Sequence, residues 1–143
     1  MKNIIFVYNL EKEELEIRKI PKIKKFPEIL AATQIHNYLI LSGGHHQDYD
    51  KSSFISEAIN YIYCIRKDEF KELENLEVPR SAHCVVAFSI DRIFYLGGTV
   101  RCEKYKLEIT NSCKMSQKGK KNKTIPEMIE SRTKAGACTH NTQ

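Results

Sequence analysis

Apolar runs end in paired glycines at two places along the chain. The segment YLILSGG ends in Gly43-Gly44, and the segment RIFYLGG ends in Gly97-Gly98, 54 residues later. Each run follows another short apolar stretch, and a turn with polar residues separates the two. Short apolar runs of about four to eight residues, bounded by turn residues, favour strands that are buried on both faces. The pattern therefore predicts two copies of a pair of inner strands.

A second pattern predicts amphipathic strands after each inner pair. Tyr8 is followed by the charged tetrapeptide EKEE and then by Leu15, and Tyr63 is followed by RKDE and then by Phe70. A third copy is assigned to the segment that begins at Tyr105. Charged, polar tetrapeptides between apolar positions indicate tight turns. We therefore expect a hairpin of third and fourth strands in each copy.

The blocks repeat, but the connections between them vary in length. Arg80 aligns with Arg132 at an offset of 52 residues, close to the offset of 54 between the glycines. Fixed blocks joined by variable segments are typical of strands and loops in a repeat protein. Four antiparallel strands that recur about every fifty residues indicate β-propeller blades. The expected strands are 4–9, 14–18, 29–33, 38–42, 59–65, 70–74, 83–88, 92–96 and 103–107, with no helix longer than about two turns.

The order Gly43-Gly44, Tyr63, Phe70 and Arg80 resembles the kelch family of repeats. That family has a Gly-Gly after the second strand, then a Tyr, a Trp about seven residues later, and an Arg that opens the next repeat. This chain has no Trp, and Phe26 stands where the first full repeat would have the Arg. The resemblance implies an all-β fold, namely a partial kelch-type β-propeller with four-stranded antiparallel blades.

The chain is expected to form a single partial propeller over residues 1–143. A closed propeller needs at least about four blades, so the chain is expected to be a fragment, a truncated product or one part of an assembly. Open sheet edges and uncovered blade faces predict self-association. The predicted parts are an outer half-blade at 1–20, a blade at 26–76, a blade at 80–115, a Lys-rich connection at 116–131 and the start of a further blade at 132–143.

Composition narrows the compartment and the class of partner. The five cysteines are widely spaced and form no CxxC motif, which favours free thiols and a cytoplasmic location. No apolar run approaches the ~20 residues of a membrane helix, so no membrane association is expected. The net charge is +5, and the five lysines between Lys114 and Lys123 account for all of it. This local excess argues against nucleic acid as the partner.

The most polar cluster of the sequence follows the first glycine pair. Its histidines and aspartates are residue types that bind metal ions. Adjacent side chains in an extended segment point apart, and no third ligand motif lies nearby, so we expect no metal or cofactor site. The neighbouring His83 and Cys84 lie on a predicted inner strand and are expected in the core, so no catalytic residue is assigned. The residues of the polar cluster are His45, His46, Asp48 and Asp50.

Antiparallel connectivity places the two kinds of connection on opposite faces of a blade. The connections that vary in length share one face, which in repeat proteins is the usual binding face. The kelch resemblance implies a protein–protein interaction module, either a scaffold or a substrate-recognition fragment, with a protein partner of unknown identity. The alternative is a fragment of a kelch-propeller enzyme of the metal-oxidase or sugar-acid-epimerase type. The predicted partner-binding residues are His45, His46, Asp48, Asp50, Lys118, Lys120 and Lys121.

Overall fold

The computed structural model describes residues 4–19, 27–48, 53–101, 107–117 and 120–138. Over these ranges the chain is all-β, and it contains no helix. The strands are, in chain order, β1 (Ile4–Asn9), β2 (Glu14–Lys19), β3 (Ala31–Ile35), β4 (Tyr38–Ser42), β5 (His45–Asp48), β6 (Ser53–Ser56), β7 (Asn60–Cys64), β8 (Glu69–Glu72), β9 (Cys84–Ser89), β10 (Arg92–Leu96), β11 (Thr99–Arg101), β12 (Leu107–Ile109), β13 (Cys113–Gln117) and β14 (Lys120–Ile125).

Two four-stranded antiparallel sheets dominate the fold. The first has the strand order β3-β4-β7-β8, and the second has the order β9-β10-β13-β14. A two-stranded hairpin interrupts each sheet between its second and third strands, β5–β6 in the first and β11–β12 in the second. A further hairpin, β1–β2, precedes the first sheet. The predicted all-β class with four-stranded antiparallel units is confirmed, and no sheet closes on itself within the described ranges.

Eight of the predicted strands overlap observed ones, and most of the ninth, 103–107, lies outside the described ranges. The third strand of the second sheet is β13, which pairs with β10 from Leu96↔Cys113 to Arg92↔Gln117. The predicted connection at 116–131 accordingly contains the end of β13 and all of β14. As an outer edge strand, β14 meets solvent and needs no apolar alternation, and charged side chains protect such an edge from unwanted pairing. Residues 102–106, including Tyr105, lie outside the described ranges.

The paired glycines adopt the same conformation in both sheets. Gly43 and Gly97 have φ values of 60° and 62°, and Gly44 and Gly98 have φ values of 103° and 102°. A Cβ atom at Gly43 or Gly97 would also press on the carbonyl oxygen of the arginine that begins the next repeat. Glycine is favoured at both positions because it has no Cβ and accepts positive φ. The alignment of the two glycine pairs is therefore structural as well as sequential.

The core lies between the facing sides of the two sheets. Ile40 and Ile62 of the first sheet cluster with Ile93 and Tyr95 of the second, and β3 runs beside β9. None of these four side chains is more than 7% exposed. Burying an apolar side chain of this size contributes about 1.5–3 kcal/mol. The phenol of Tyr95 accepts a hydrogen bond from Asn60 Nδ2 at 2.5 Å, so its polar end is also satisfied.

Arg80 joins the two sheets through neutral acceptors. Its side chain is 2% exposed; Nη1 donates to the carbonyl oxygen of Gly97 at 2.9 Å, and Nη2 donates to Ser112 Oγ at 3.0 Å. Burial lowers the pKa of Arg80, and no ion pair offsets that cost within the described part of the chain. The buried charge of the guanidinium is therefore stabilised by hydrogen bonds to residues of the second repeat. Arg80 itself lies in the segment that connects the first sheet to the second.

His83 is buried next to this junction. It is 5% exposed, its Nε2 lies 3.2 Å from Ser42 Oγ, and its Nδ1 has no hydrogen-bond partner. Burial, together with the nearby charge of Arg80, lowers the pKa of His83 to about 3. The imidazole is therefore neutral at physiological pH, as expected for a core histidine.

Candidate interaction surface

The long connections of both sheets leave from the same end. In each sheet the chain turns away at the glycine pair, forms a hairpin and returns to the third strand. The return is anchored identically, because Glu57 N donates to Gly44 O and Thr110 N donates to Gly98 O, both at 2.9 Å. The tight turns, such as the one at Ile90, lie at the opposite end of the sheets. We call the end that carries the hairpins β5–β6 and β11–β12 the hairpin face.

Strand β6 contacts β11, so the two hairpins are neighbours. Three of their apolar side chains are exposed: Phe54 is 43% exposed, Ile55 is 46% exposed and Ile109 is 45% exposed. Sheet-to-sheet stacking thus places side by side two hairpins that are distant in sequence and that both carry exposed apolar side chains. Exposed apolar side chains next to polar ones are common on protein-binding surfaces.

The predicted histidines lie on the hairpin face. His45 and His46 begin β5 and are half-buried. The His45 ring packs edge-on against Phe54 with centroids 4.7 Å apart, and His46 Nε2 lies 3.6 Å from Glu57 Oε1. Asp48 ends β5, and Asp50 lies outside the described ranges. The two histidine side chains therefore contact residues of the hairpin and of its return segment, and they are also partly exposed to solvent.

Two of the predicted lysines, Lys120 and Lys121, lie away from this face. They begin β14, where Lys120 pairs with Gln117 at the end of β13, and Lys118 lies outside the described ranges. This end of the second sheet is opposite to β11–β12, because β13 begins beside Leu96 and runs away from the hairpin face. The backbone positions of Lys120 and Lys121 therefore differ from the expected place beside His45–Asp50, and the role of the lysines in partner binding stays a prediction.

Sequence reasoning missed the apolar side chains of the hairpin face. Phe54 and Ile55 lie in a polar insertion, SSFISE, and a short apolar pair there was a signal for a second local hairpin. Ile109 carried no such signal, because its segment was assigned to the sheet. Only the stacking of the sheets brings the hairpins side by side.

Metal-binding chemistry has no geometric support on the hairpin face. Among the described residues no three histidine, cysteine, aspartate or glutamate side chains converge on one point. His45 and His46 are consecutive in a strand, so their side chains project to opposite faces.

The described part of the chain includes no helix with the length and apolarity needed to cross a membrane. Neither the models of known protein families nor the sequences of curated proteins give a significant match to this chain.

Proposed function

We propose that this chain is a protein–protein interaction module built on a partial kelch-type β-propeller. Two four-stranded antiparallel sheets that pack face to face, and whose glycine pairs have matching φ values, support the propeller part of the proposal. Propellers stack such sheets around an axis and bind partners through the loops at one end. Apart from the hairpin inserted between its second and third strands, each sheet has its strands in chain order, as in a propeller blade.

The observation that carries the binding proposal is the exposure of Phe54, Ile55 and Ile109 on two neighbouring hairpins. Aromatic and aliphatic anchors at the centre of a patch commonly supply most of the binding free energy of a protein interface. The half-buried His45 and His46 would hold the first hairpin in place beneath these anchors. The partner is a protein that presents a complementary apolar surface.

The test is affinity capture with paired variants, analysed by quantitative mass spectrometry. Phe54→Ser combined with Ile55→Ser removes two anchors from the hairpin face. Ile90→Ser is the matched control, since Ile90 is 39% exposed and lies at the opposite end. We expect the double variant to lose partners that the wild type and the control retain, with unchanged far-UV circular dichroism in all three. Equal capture by the double variant and the wild type contradicts the proposal.

The enzymatic alternative, a fragment of a kelch-propeller oxidase or epimerase, has no specific observation in its favour in the described ranges. It requires polar residues that converge at the centre of a larger propeller. A turnover assay on a longer gene product with additional repeats would discriminate the two functions, because the interaction module needs no such site.

A further inference from the structure

The hairpin β1–β2 has the same register as the outer hairpin β7–β8 of the first sheet. Tyr8 pairs with Leu15 as Tyr63 pairs with Phe70. The neighbouring pairs also correspond, since Val7↔Glu16 in the first hairpin matches Ile62↔Lys71 in the second. In the complete sheet the other edge of β7 is occupied by β4. In the described part of the chain no strand occupies the corresponding edge of β1.

The free edge of β1 lacks the charges that protect the outer edges. Ile4–Asn9 contains no charged residue, whereas the outer edge strands β2, β8 and β14 each contain at least three. Proteins commonly place charges on edge strands to prevent pairing with other chains. An uncharged, β-branched and aromatic edge is therefore suited to accept a strand.

A cleft lies along this edge, between β1 and the first sheet. Its volume is about 460 Å³, and its lining includes Ile5 and Val7 of β1 and Leu39 of the first sheet. Arg18 holds the hairpin over the cleft by donating to the carbonyl of Ile65 and, at 3.0 Å, to Tyr63 Oη. The space next to the open edge is thus bounded by a fixed wall and a fixed floor.

The charges around the cleft favour an acidic group at one end. Arg18 is paired with Glu16 at 2.6 Å, but Arg66 has no ion-pair partner among the described residues. Arg66 follows β7 and therefore lies at the Asn9 end of β1, and it lines the same cleft as His36. A strand antiparallel to β1 would begin at this end, so an acidic residue before its first paired position would meet Arg66.

We propose that the free edge of β1 binds an extended strand of a separate polypeptide, antiparallel to β1, with alternating apolar side chains and an acidic residue at its N-terminal flank. Backbone hydrogen bonds to β1 supply the affinity, and side chains that enter the cleft supply the specificity. This site is separate from the hairpin face, so the two proposals succeed or fail independently.

The repeat itself supplies a probe for this site. Strand β10 pairs with β13 in the way that the ligand would pair with β1, and Asp91 precedes it. In the equivalent register Ile93 lies opposite Tyr8, and Phe94 enters the cleft beside Val7. A fluorescein-labelled peptide with the sequence of residues 89–100 is the probe, and fluorescence anisotropy with the full chain measures its binding.

Backbone pairing is tested with two N-methylated peptides. One is methylated at the amides of Ile93 and Tyr95, and the other at the amides of Phe94 and Leu96. Alternate amides of a strand point to opposite edges, so one peptide should lose at least tenfold in affinity and the other should bind within about threefold of the parent. Absence of parent binding, or equal behaviour of the two methylated peptides, overturns the proposal.

The position of the site is tested in the chain. Val7→Lys places a charge in the cleft wall and should weaken the parent peptide at least tenfold, whereas Ile17→Lys, on the exposed face of the same hairpin, should change affinity less than threefold. Equal effects of the two variants overturn the proposal.

The charge contact is tested by exchange. Arg66→Glu should weaken the parent peptide by up to about fivefold, the range of an exposed ion pair, and the Asp91→Lys peptide should recover that loss. No recovery contradicts the assigned direction. Dimerisation of the chain without peptide, with amide-exchange protection in β1, would identify a second copy as the occupant and overturn binding of a separate polypeptide.

Discussion

Arg80 and Arg132 occupy equivalent positions in the two repeats but have different surroundings. The carbonyl oxygen of Arg80 accepts a hydrogen bond from Gly44 N at 2.9 Å, and that of Arg132 accepts one from Gly98 N at 2.8 Å. The Arg80 side chain is buried against the second sheet. The Arg132 side chain is 59% exposed and lies 3.4 Å from Glu130. The backbone hydrogen bond from the glycine to the arginine carbonyl therefore forms in both repeats. The arginine side chain is buried in the repeat where another sheet packs against it.

The two sheets differ in the same way. The first sheet faces the second on one side and the β1–β2 hairpin on the other, where Tyr63 is fully buried. The second sheet uses Ile93 and Tyr95 on its covered side, and on its other side Phe88 remains 50% exposed. A repeat sequence thus encodes a sheet with two apolar faces, and stacking determines which face is buried.

The largest expected effect tests the arginine pair directly. Arg80→Ala should lower the free energy of unfolding by about 3 kcal/mol, because it creates a cavity and leaves Gly97 O and Ser112 Oγ without their donor. Arg132→Ala should change it by about 0.5 kcal/mol or less, as expected for an exposed side chain. Urea denaturation followed by circular dichroism measures both. Equal losses would show that the motif acts through the backbone alone.

The glycines should behave alike in the two repeats. Gly43→Ala and Gly97→Ala should each cost about 2 kcal/mol, because both place a Cβ at positive φ against a carbonyl oxygen. Gly136→Ala is the control, since nothing lies within 4 Å of the added atom. In thermal denaturation the control should have the same midpoint temperature as the wild type. A large difference between the first two variants would contradict equivalent repeats.

A pH dependence should distinguish the junction between the sheets. The pKa of His83 is about 3 in the folded chain and about 6.5 when unfolded, so the unfolded state binds the proton more tightly. Its contribution to stability is therefore complete above pH 6.5 and declines as the pH falls, by about 2 kcal/mol at pH 5. His83→Leu introduces the residue type found at the equivalent Leu30 and should remove this part of the slope in urea titrations at pH 7 and pH 5. An unchanged slope would mean that His83 is accessible to protons in the folded state.

The smallest effect concerns the other side of the first sheet. Tyr63 Oη donates to Asp68 Oδ1 at 2.7 Å and accepts from Arg18. Tyr63→Phe should cost about 1 kcal/mol, the usual value for a lost hydrogen bond, and should speed amide exchange in β1 and β2. Tyr8→Phe, at a tyrosine that is 55% exposed, should leave exchange unchanged. Equal amide-exchange rates in the two variants would show that the Tyr63 hydroxyl does not hold the β1–β2 hairpin against the first sheet.

The sequence alone predicted strands where the apolar pattern of the side chains agrees with the conformation that the backbone requires. The inner strands are apolar because both of their faces are covered, and Gly43 and Gly97 recur because their φ values and the neighbouring carbonyl oxygens exclude a Cβ. The β1–β2 hairpin was also predicted, from the charged tetrapeptide between Tyr8 and Leu15. These features are local, so they are visible in a single repeat.

The tertiary structure decided what depends on distant neighbours. The sequences of β13 and β14 contain few apolar residues because these strands form the outer, partly solvent-exposed half of their sheet, so the sequence pattern placed Lys120 and Lys121 in a connection and not in a strand. The hairpin face brings Phe54 next to β11, and the burial of Arg80 but not Arg132 depends on which sheet lies alongside. Stacking of sheets brings together residues far apart in sequence, and no local pattern records which of two similar surfaces will be covered.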